Sequence, residues 1–78
     1  MENTLLPAPT NTEFIAARRS AGHSQTEAGA LLGVTLRGVQ GWEAPPGAPG
    51  ARQCPAGLYT LYMLITHQHP RQALIEDE

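Results

Sequence analysis

Two helix start signals lie close together in this sequence, and their spacing limits the folds open to the chain. Ser24 begins the capping-box pattern Ser-Gln-Thr-Glu, in which the serine and glutamate side chains each accept a hydrogen bond from the other's backbone amide. Thr35, eleven positions later, offers a second N-cap, and Gly33 between them can take the positive φ that ends a helix. We therefore predict two short helices, 25–32 and 36–43, which are joined by a tight turn and cross steeply.

Further helices are predicted on both sides of this pair. Thr10 or Thr12 offers an N-cap for a first helix over residues 11–21, which a glycine closes. The stretch 44–51, rich in proline and glycine, cannot continue a helix because proline lacks an amide hydrogen and restricts the residue before it. After this loop, apolar residues recur at helical spacing over 56–66 and indicate a fourth helix.

The length of the chain, 78 residues, permits one small domain. We predict an all-α fold of four to five helices, the fifth being a short helix around residues 71–75. In this division, residues 1–9 form a flexible N-terminal segment, 10–66 form the helix-turn-helix domain, and 67–78 form a C-terminal tail available for dimerisation. The single cysteine allows no internal disulfide, so a chain this small gains stability from a partner subunit or a ligand.

The composition limits where the protein works and what it binds. No window approaches the roughly 18 apolar residues of a spanning helix, and the N-terminus has no signal-peptide pattern, so we expect a cytoplasmic protein with no membrane partner. The net charge is -2, but the last three residues are all acidic, and the rest of the chain is neutral to slightly basic. All five bases are arginines. Arginine suits bidentate contacts to guanine or phosphate, although a biased genome composition would give the same count.

The segment 25–44 has apolar residues at the five positions that a helix-turn-helix needs. These positions are Ala28, Leu32, Val34, Val39 and Trp42. The first two lie on one face of the first short helix, the last two lie on one face of the second, and the valine between them fills the turn. Two amphipathic helices of a generic bundle would show similar spacing. However, Gly29 at the helix crossing and Gly33 in the turn also fit the helix-turn-helix.

With these residues the sequence resembles the lambda-repressor/Cro family, often called Xre-like, over about residues 12–66. The string VQGWE, which ends at Glu43, resembles the family's common V-Q-x-W-E ending. The resemblance implies that Gln25 opens the second helix and contacts both a phosphate and the recognition helix. It also implies a buried ion pair between Arg18 and Glu43. The stretch 58–70, which ends in LYMLITHQHP, is similar to small phage-type regulators, including those encoded beside anti-CRISPR genes.

In this interpretation the second helix of the motif, the recognition helix, presents one face to DNA. The face opposite the buried valine and tryptophan comprises Thr35, Leu36, Arg37, Gln40 and Gly41. In the major groove, Arg37 can bind O6 and N7 of guanine, Gln40 or the Thr35 hydroxyl can bind adenine or a phosphate, and the leucine can touch a thymine methyl. The amides of Gln25 and Thr26, at the positive end of a helix dipole, would hold a backbone phosphate.

Three further residues of this region leave alternatives open. Arg52 follows the loop where related repressors often have a basic residue near the DNA minor groove or backbone, but a solvated surface arginine would look the same. Gly38 and Gly41 weaken the recognition helix, since glycine costs roughly 0.5–1 kcal/mol of helix stability relative to alanine. They indicate either a close approach of the backbone to DNA or a frayed helix that orders on binding.

Other kinds of site find little support in the sequence. Cys54, His67 and His69 match no spacing of structural zinc ligands, so we expect no metal and no other cofactor. The cysteine also has no recognisable base and orienting partner, so we expect no enzymatic activity. Phe14 and Trp42 lie on apolar helical faces, and we expect them in the core instead of stacked on nucleotides.

Together these features predict a sequence-specific, double-stranded DNA-binding transcriptional regulator, which acts as a homodimeric repressor of a palindromic operator, an inverted repeat. The residues available for dimerisation are Leu58, Leu61, Tyr62 and Ile65 of the fourth helix, with Leu74 and Ile75 of the tail. The alternative is a protein-interaction module, an antitoxin or adaptor, in which DNA binding is secondary. The acidic tail and the negative net charge favour that alternative slightly.

Overall fold

The computed structural model describes residues 4–70, which form four α-helices. In chain order the helices are α1 (Asn11–Ala21), α2 (Gln25–Leu32), α3 (Leu36–Glu43) and α4 (Ala56–Ile65). The predicted all-α fold class is confirmed, and no strand occurs within residues 4–70. The additional short helix predicted around residues 71–75 lies outside the described residues. In the described part of the chain, no helix combines the length and the apolarity needed to cross a membrane.

The first two helices begin and end as their sequence signals predict. The Thr10 hydroxyl accepts a hydrogen bond from the Glu13 amide at 3.1 Å, and the Glu13 carboxylate accepts one from the Thr10 amide at 2.8 Å. Thr10 is therefore the N-cap of α1, and Ser24 begins α2 with the same reciprocal pair. Gly22 and Gly33 end these helices with φ of 76° and 70°, a region where only glycine avoids strain.

The core lies where α3 packs against α1 and α2, and α4 closes it. Its buried apolar residues are Phe14, Ala17, Ala28, Leu32, Val39, Trp42, Cys54 and Tyr62. The Phe14 ring is at the centre, 5.3 Å from the Trp42 ring in an edge-to-face arrangement and 5.7 Å from the Tyr62 ring. Phe14 and Trp42 are core residues, as expected from their apolar faces.

The N-terminal segment packs on the rest of the fold over the part that the structure describes. The Leu6 amide donates to the Thr60 hydroxyl of α4 at 2.8 Å, and Pro9 is fully buried. The Thr4 carbonyl oxygen lies 2.7 Å from Nε2 of the His69 ring. Residues 4–9 are therefore a packed strap across α4 and its C-terminal end, in contrast to the flexible segment predicted for 1–9, because their backbone groups have partners on the domain.

Candidate nucleic-acid interface

Helices α2 and α3 meet at a turn that leaves no space for a side chain at Gly29. The Val34 amide donates to the Gly29 carbonyl oxygen at 2.8 Å. A Cβ atom on Gly29 would lie 2.6 Å from the Val34 carbonyl oxygen and 3.3 Å from Cγ2 of Val39. Because the nearest atom belongs to the backbone, it cannot move aside without moving the turn. Gly29 thus sets how closely α2 approaches the turn and the first residues of α3.

The outer face of α3 is open to solvent at four of the five positions predicted to face DNA. The exposed residues are Thr35, Leu36, Arg37 and Gln40. The Thr35 hydroxyl also caps α3, because it accepts a hydrogen bond from the Gly38 amide at 3.1 Å. Leu36 is 44% exposed. Within residues 4–70 the Arg37 side chain makes no hydrogen bond or ion pair, so its guanidinium is available to a ligand.

Gly41, the fifth predicted position, is not part of this open face. It is buried, and a Cβ atom there would lie 3.0 Å from the Gly50 carbonyl oxygen and 3.9 Å from the Arg52 side chain. The interpretation of Gly41 as a DNA-facing position is therefore wrong, because the loop between α3 and α4 covers it. Packing within the protein also explains the glycine at position 38, since a Cβ atom there would lie 2.6 Å from Cγ1 of Val34.

An ion pair joins the end of α3 to α1, as the family resemblance implied. Nε of Arg18 donates to the Glu43 carboxylate at 2.6 Å, and Nη2 of Arg18 donates to its other oxygen at 3.0 Å. The Gln25 side-chain amide donates to the same carboxylate at 3.0 Å, and Nη1 of Arg18 donates to the His23 carbonyl oxygen at 3.0 Å. One carboxylate thus links α1, α2 and α3. The side chains of Arg18 and Glu43 are 14% and 7% exposed.

The electrostatics of this network favour the charged forms of both partners. Burial of Glu43 opposes its ionisation, but hydrogen bonds from Arg18 and Gln25 outweigh that effect and lower the pKa of the carboxyl. The hydrogen bond to Glu43 raises the pKa of Arg18. The pair therefore stays ionised at neutral pH and fixes the orientation of α3 relative to α1 and α2.

Three groups at the start of α2 were predicted to contact a phosphate: the Gln25 side chain and the backbone amides of Gln25 and Thr26. The Gln25 side chain is directed to Glu43, so its amide group already has a partner on the recognition helix. The backbone amides of Gln25 and Thr26 donate no hydrogen bond within residues 4–70. Thr26 is exposed. These two amides, with the helix dipole behind them, can bind an anion that lies beside α3.

Arg52 lies at the C-terminal end of α3, although it belongs to the following loop. Its amide donates to the Gly41 carbonyl oxygen at 2.9 Å, and the stem of its side chain lies against Gly41. The residue is exposed and makes no ion pair within residues 4–70. It borders a cleft of about 330 Å³ between the loop and the start of α1. Sequence reasoning missed this attachment, because no local signal shows which helix the loop contacts.

The residues predicted for dimerisation divide into three groups. Tyr62 is fully buried, its ring packs on Phe14, and its hydroxyl lies 2.8 Å from Nδ1 of His23. The prediction that Tyr62 is available to a second subunit is therefore wrong, because it is part of the core. Leu61 is 40% exposed, while Leu58 and Ile65 are half-buried. The remaining two, Leu74 and Ile75, lie outside the described residues.

Cys54 and His69 are buried in the fold, whereas His67 is exposed. Cys54 is buried, and burial raises the pKa of its thiol to about 12, so it is unreactive at neutral pH. His69 is buried against Thr4, and His67 takes a positive φ of 60° just after α4. No cluster of three or more metal-ligating side chains occurs within residues 4–70.

Comparisons with known proteins add nothing to this geometry, since neither models of protein families nor curated proteins give a match to the chain.

Proposed function

We propose that this protein is a sequence-specific, double-stranded DNA-binding transcriptional regulator of the lambda-repressor/Cro type. In this proposal it binds an inverted-repeat operator in the cytoplasm as a homodimer and represses transcription by covering a promoter. One observation carries the proposal: α3 has an open outer face on which Arg37 has no partner within residues 4–70, and the ion pair between Arg18 and Glu43 ties this helix to α1. Such a face is what a recognition helix presents to the major groove.

Arg37 is the residue that we expect to discriminate between bases. Its guanidinium has no partner within residues 4–70, and a planar fork can bind O6 and N7 of guanine with two hydrogen bonds. The neighbouring Gln40 suits adenine or a phosphate, and Leu36 suits a thymine methyl group. Since Gly41 is covered, specificity rests on these three side chains and on Thr35 at the start of the helix.

Phosphate contacts near the C-terminal end of α3 would position it in the groove. The amides of Gln25 and Thr26, which donate no hydrogen bond within residues 4–70, lie at the start of α2, whose first side chain bonds Glu43, and the stem of Arg52 lies against Gly41. Contacts of this kind fix the register of a protein on the duplex but carry no sequence information. They also release counterions, so that affinity falls as the salt concentration rises.

The test is a binding isotherm on DNA from upstream of the protein's own gene and on scrambled DNA, at about 150 mM salt. We expect selective binding by the natural protein and a loss of about 1–3 kcal/mol of discrimination in Arg37→Ala. Arg37→Lys is the matched control, because it keeps the charge and loses the fork. It should retain non-specific affinity and lose discrimination.

Equal, weak binding to both DNAs would refute the proposal. So would binding whose affinity does not change with salt, or an Arg37→Ala variant that discriminates as well as the natural protein. Those outcomes would favour the protein-interaction module, an antitoxin or adaptor, to which the acidic end of the sequence and its net charge of -2 are suited.

A further inference from the structure

A cleft lies between the start of α1 and the loop that joins α3 to α4. Its volume is about 330 Å³, within the range of about 300–1,000 Å³ that small-molecule sites occupy. One wall contains Pro9 and Thr10, and the other contains Ala44, Pro46 and Ala51. The surface of the cleft is therefore largely apolar, as it is in most sites that bind small molecules.

Hydrogen bonds hold both walls of the cleft in place, so the cleft is formed before any ligand binds. Within the loop, the Ala48 amide donates to the Pro45 carbonyl oxygen and the Ala51 amide donates to the Ala48 carbonyl oxygen, both at 3.0 Å. Nε2 of Gln53 donates to the Pro9 carbonyl oxygen at 3.1 Å and ties the end of the loop to the opposite wall. A preformed site of this kind costs little ordering free energy on binding.

The charge of the cleft comes from one arginine. Among the described residues that line the cleft, Arg52 alone is charged. Its side chain is exposed and forms no ion pair within residues 4–70. A guanidinium binds a carboxylate with two parallel hydrogen bonds. The occupant that complements this cleft therefore carries one carboxylate group on an apolar body.

Arg52 also belongs to the surface of α3. Its amide donates to the Gly41 carbonyl oxygen at 2.9 Å, and its Cγ would lie 3.9 Å from a Cβ atom on Gly41. The same side chain therefore borders the cleft and the end of the helix that we propose to enter the DNA groove. One guanidinium cannot pair its planar fork with a ligand carboxylate and with a DNA phosphate at the same time.

We infer that the cleft binds a small organic carboxylate with an apolar body, and that Arg52 holds the carboxylate group. For its regulatory effect the inference rests on the proposed function, because the bound carboxylate withdraws Arg52 from the DNA backbone and weakens operator binding. The coupling is reciprocal, so operator DNA weakens the binding of the carboxylate by the same factor. A molecule of this class would release the protein from its operator.

The first test measures the binding of benzoate to the full chain without DNA, from the shifts of backbone amide signals in NMR spectra. We expect saturable shifts at residues of the cleft, with a Kd of about 1 mM. Arg52→Gln should raise this Kd about tenfold, because a charge-assisted hydrogen bond is lost. Benzamide has the same ring and no charge, and it should bind the natural protein as weakly as benzoate binds Arg52→Gln. Arg19→Gln is the matched control at an exposed arginine that does not line the cleft, and it should leave the Kd unchanged.

The second test fills the cleft and keeps its charge. Ala51 is half-buried in the wall of the cleft, so the larger side chain of Ala51→Leu occupies part of its volume. Saturating benzoate should weaken operator binding by the natural protein about fivefold relative to the same concentration of sodium chloride. Ala51→Leu should bind the operator as the natural protein does, but without a response to benzoate. Ala30→Leu, at an exposed alanine of α2, is the control and should respond as the natural protein does.

The amide spectra show whether each variant is folded, and the outcomes separate the two proposals. Benzoate shifts that are absent, that lie away from the cleft or that persist unchanged in Arg52→Gln and Ala51→Leu would overturn the inference. So would binding in the cleft that leaves operator affinity unchanged. A protein whose cleft binds benzoate but which does not discriminate between operator and scrambled DNA would support the carboxylate site and refute the proposed function. Selective DNA binding without any binding of benzoate would support the proposed function and refute the inference.

Discussion

Glu43 links α1, α2 and α3, since its carboxylate accepts hydrogen bonds from Arg18 and Gln25. Glu43→Gln leaves the Arg18 charge without a counter-ion in a place where its side chain is only 14% exposed. We expect a loss of about 3 kcal/mol in the free energy of unfolding, measured with urea. The paired variant Arg18→Met with Glu43→Leu should lose less than Glu43→Gln alone. A larger loss in the paired variant would contradict this account.

The same carboxylate makes stability depend on pH. The folded-state pKa of Glu43 lies below its ordinary value of 4.5, so the ionised pair stabilises the fold above that pH. This contribution is lost as the pH falls through the lowered folded-state pKa. We expect the free energy of unfolding to fall on acidification below about pH 4.5, and to fall less steeply in Glu43→Gln. Parallel pH profiles for the two proteins would show that other carboxyl groups dominate.

At the scale of the helices, the contact between α2 and the turn before α3 depends on Gly29. Alanine is the better helix former, yet a Cβ at this position would meet the Val34 carbonyl oxygen at 2.6 Å. Gly29→Ala is therefore expected to lower the thermal midpoint and to weaken operator binding, because α3 must shift. Gly57→Ala in α4 is the control, since nothing lies within 4 Å of its Cβ. It should be neutral or stabilise the fold by up to about 1 kcal/mol.

Local signals were sufficient to predict the helices but not every exposed face. The caps at Thr10, Ser24 and Thr35 are encoded within four residues, and the helix bounds follow from them. Gly41 was misassigned because its cover comes from a loop whose path depends on long-range contacts. Tyr62 was misassigned because nearly every residue of α4 is apolar, so the sequence has no polar side with which to locate the core.

For the whole molecule, the homodimer of the proposed function would link stability to concentration. Binding between folded subunits stabilises the folded state by mass action. The thermal midpoint of the natural protein, followed by circular dichroism, is therefore expected to rise across a hundredfold range of concentration. That of Leu61→Glu, which places a charge on a leucine of α4 that is 40% exposed, should stay constant over the same range. A midpoint that does not change with concentration in the natural protein would mean that its subunits unfold independently.

The strap of residues 4–9 brings two distant parts of the chain together. The hydrogen bond between the Thr4 carbonyl oxygen and the His69 ring joins positions 65 residues apart at a distance of 2.7 Å. A linker of a few residues between these positions would convert residues 4–69 into a closed ring with the helices in their present places. Domains whose outer segments lie side by side in this way tolerate circular permutation. The order of the helices in the gene could thus be changed while their arrangement in space is kept.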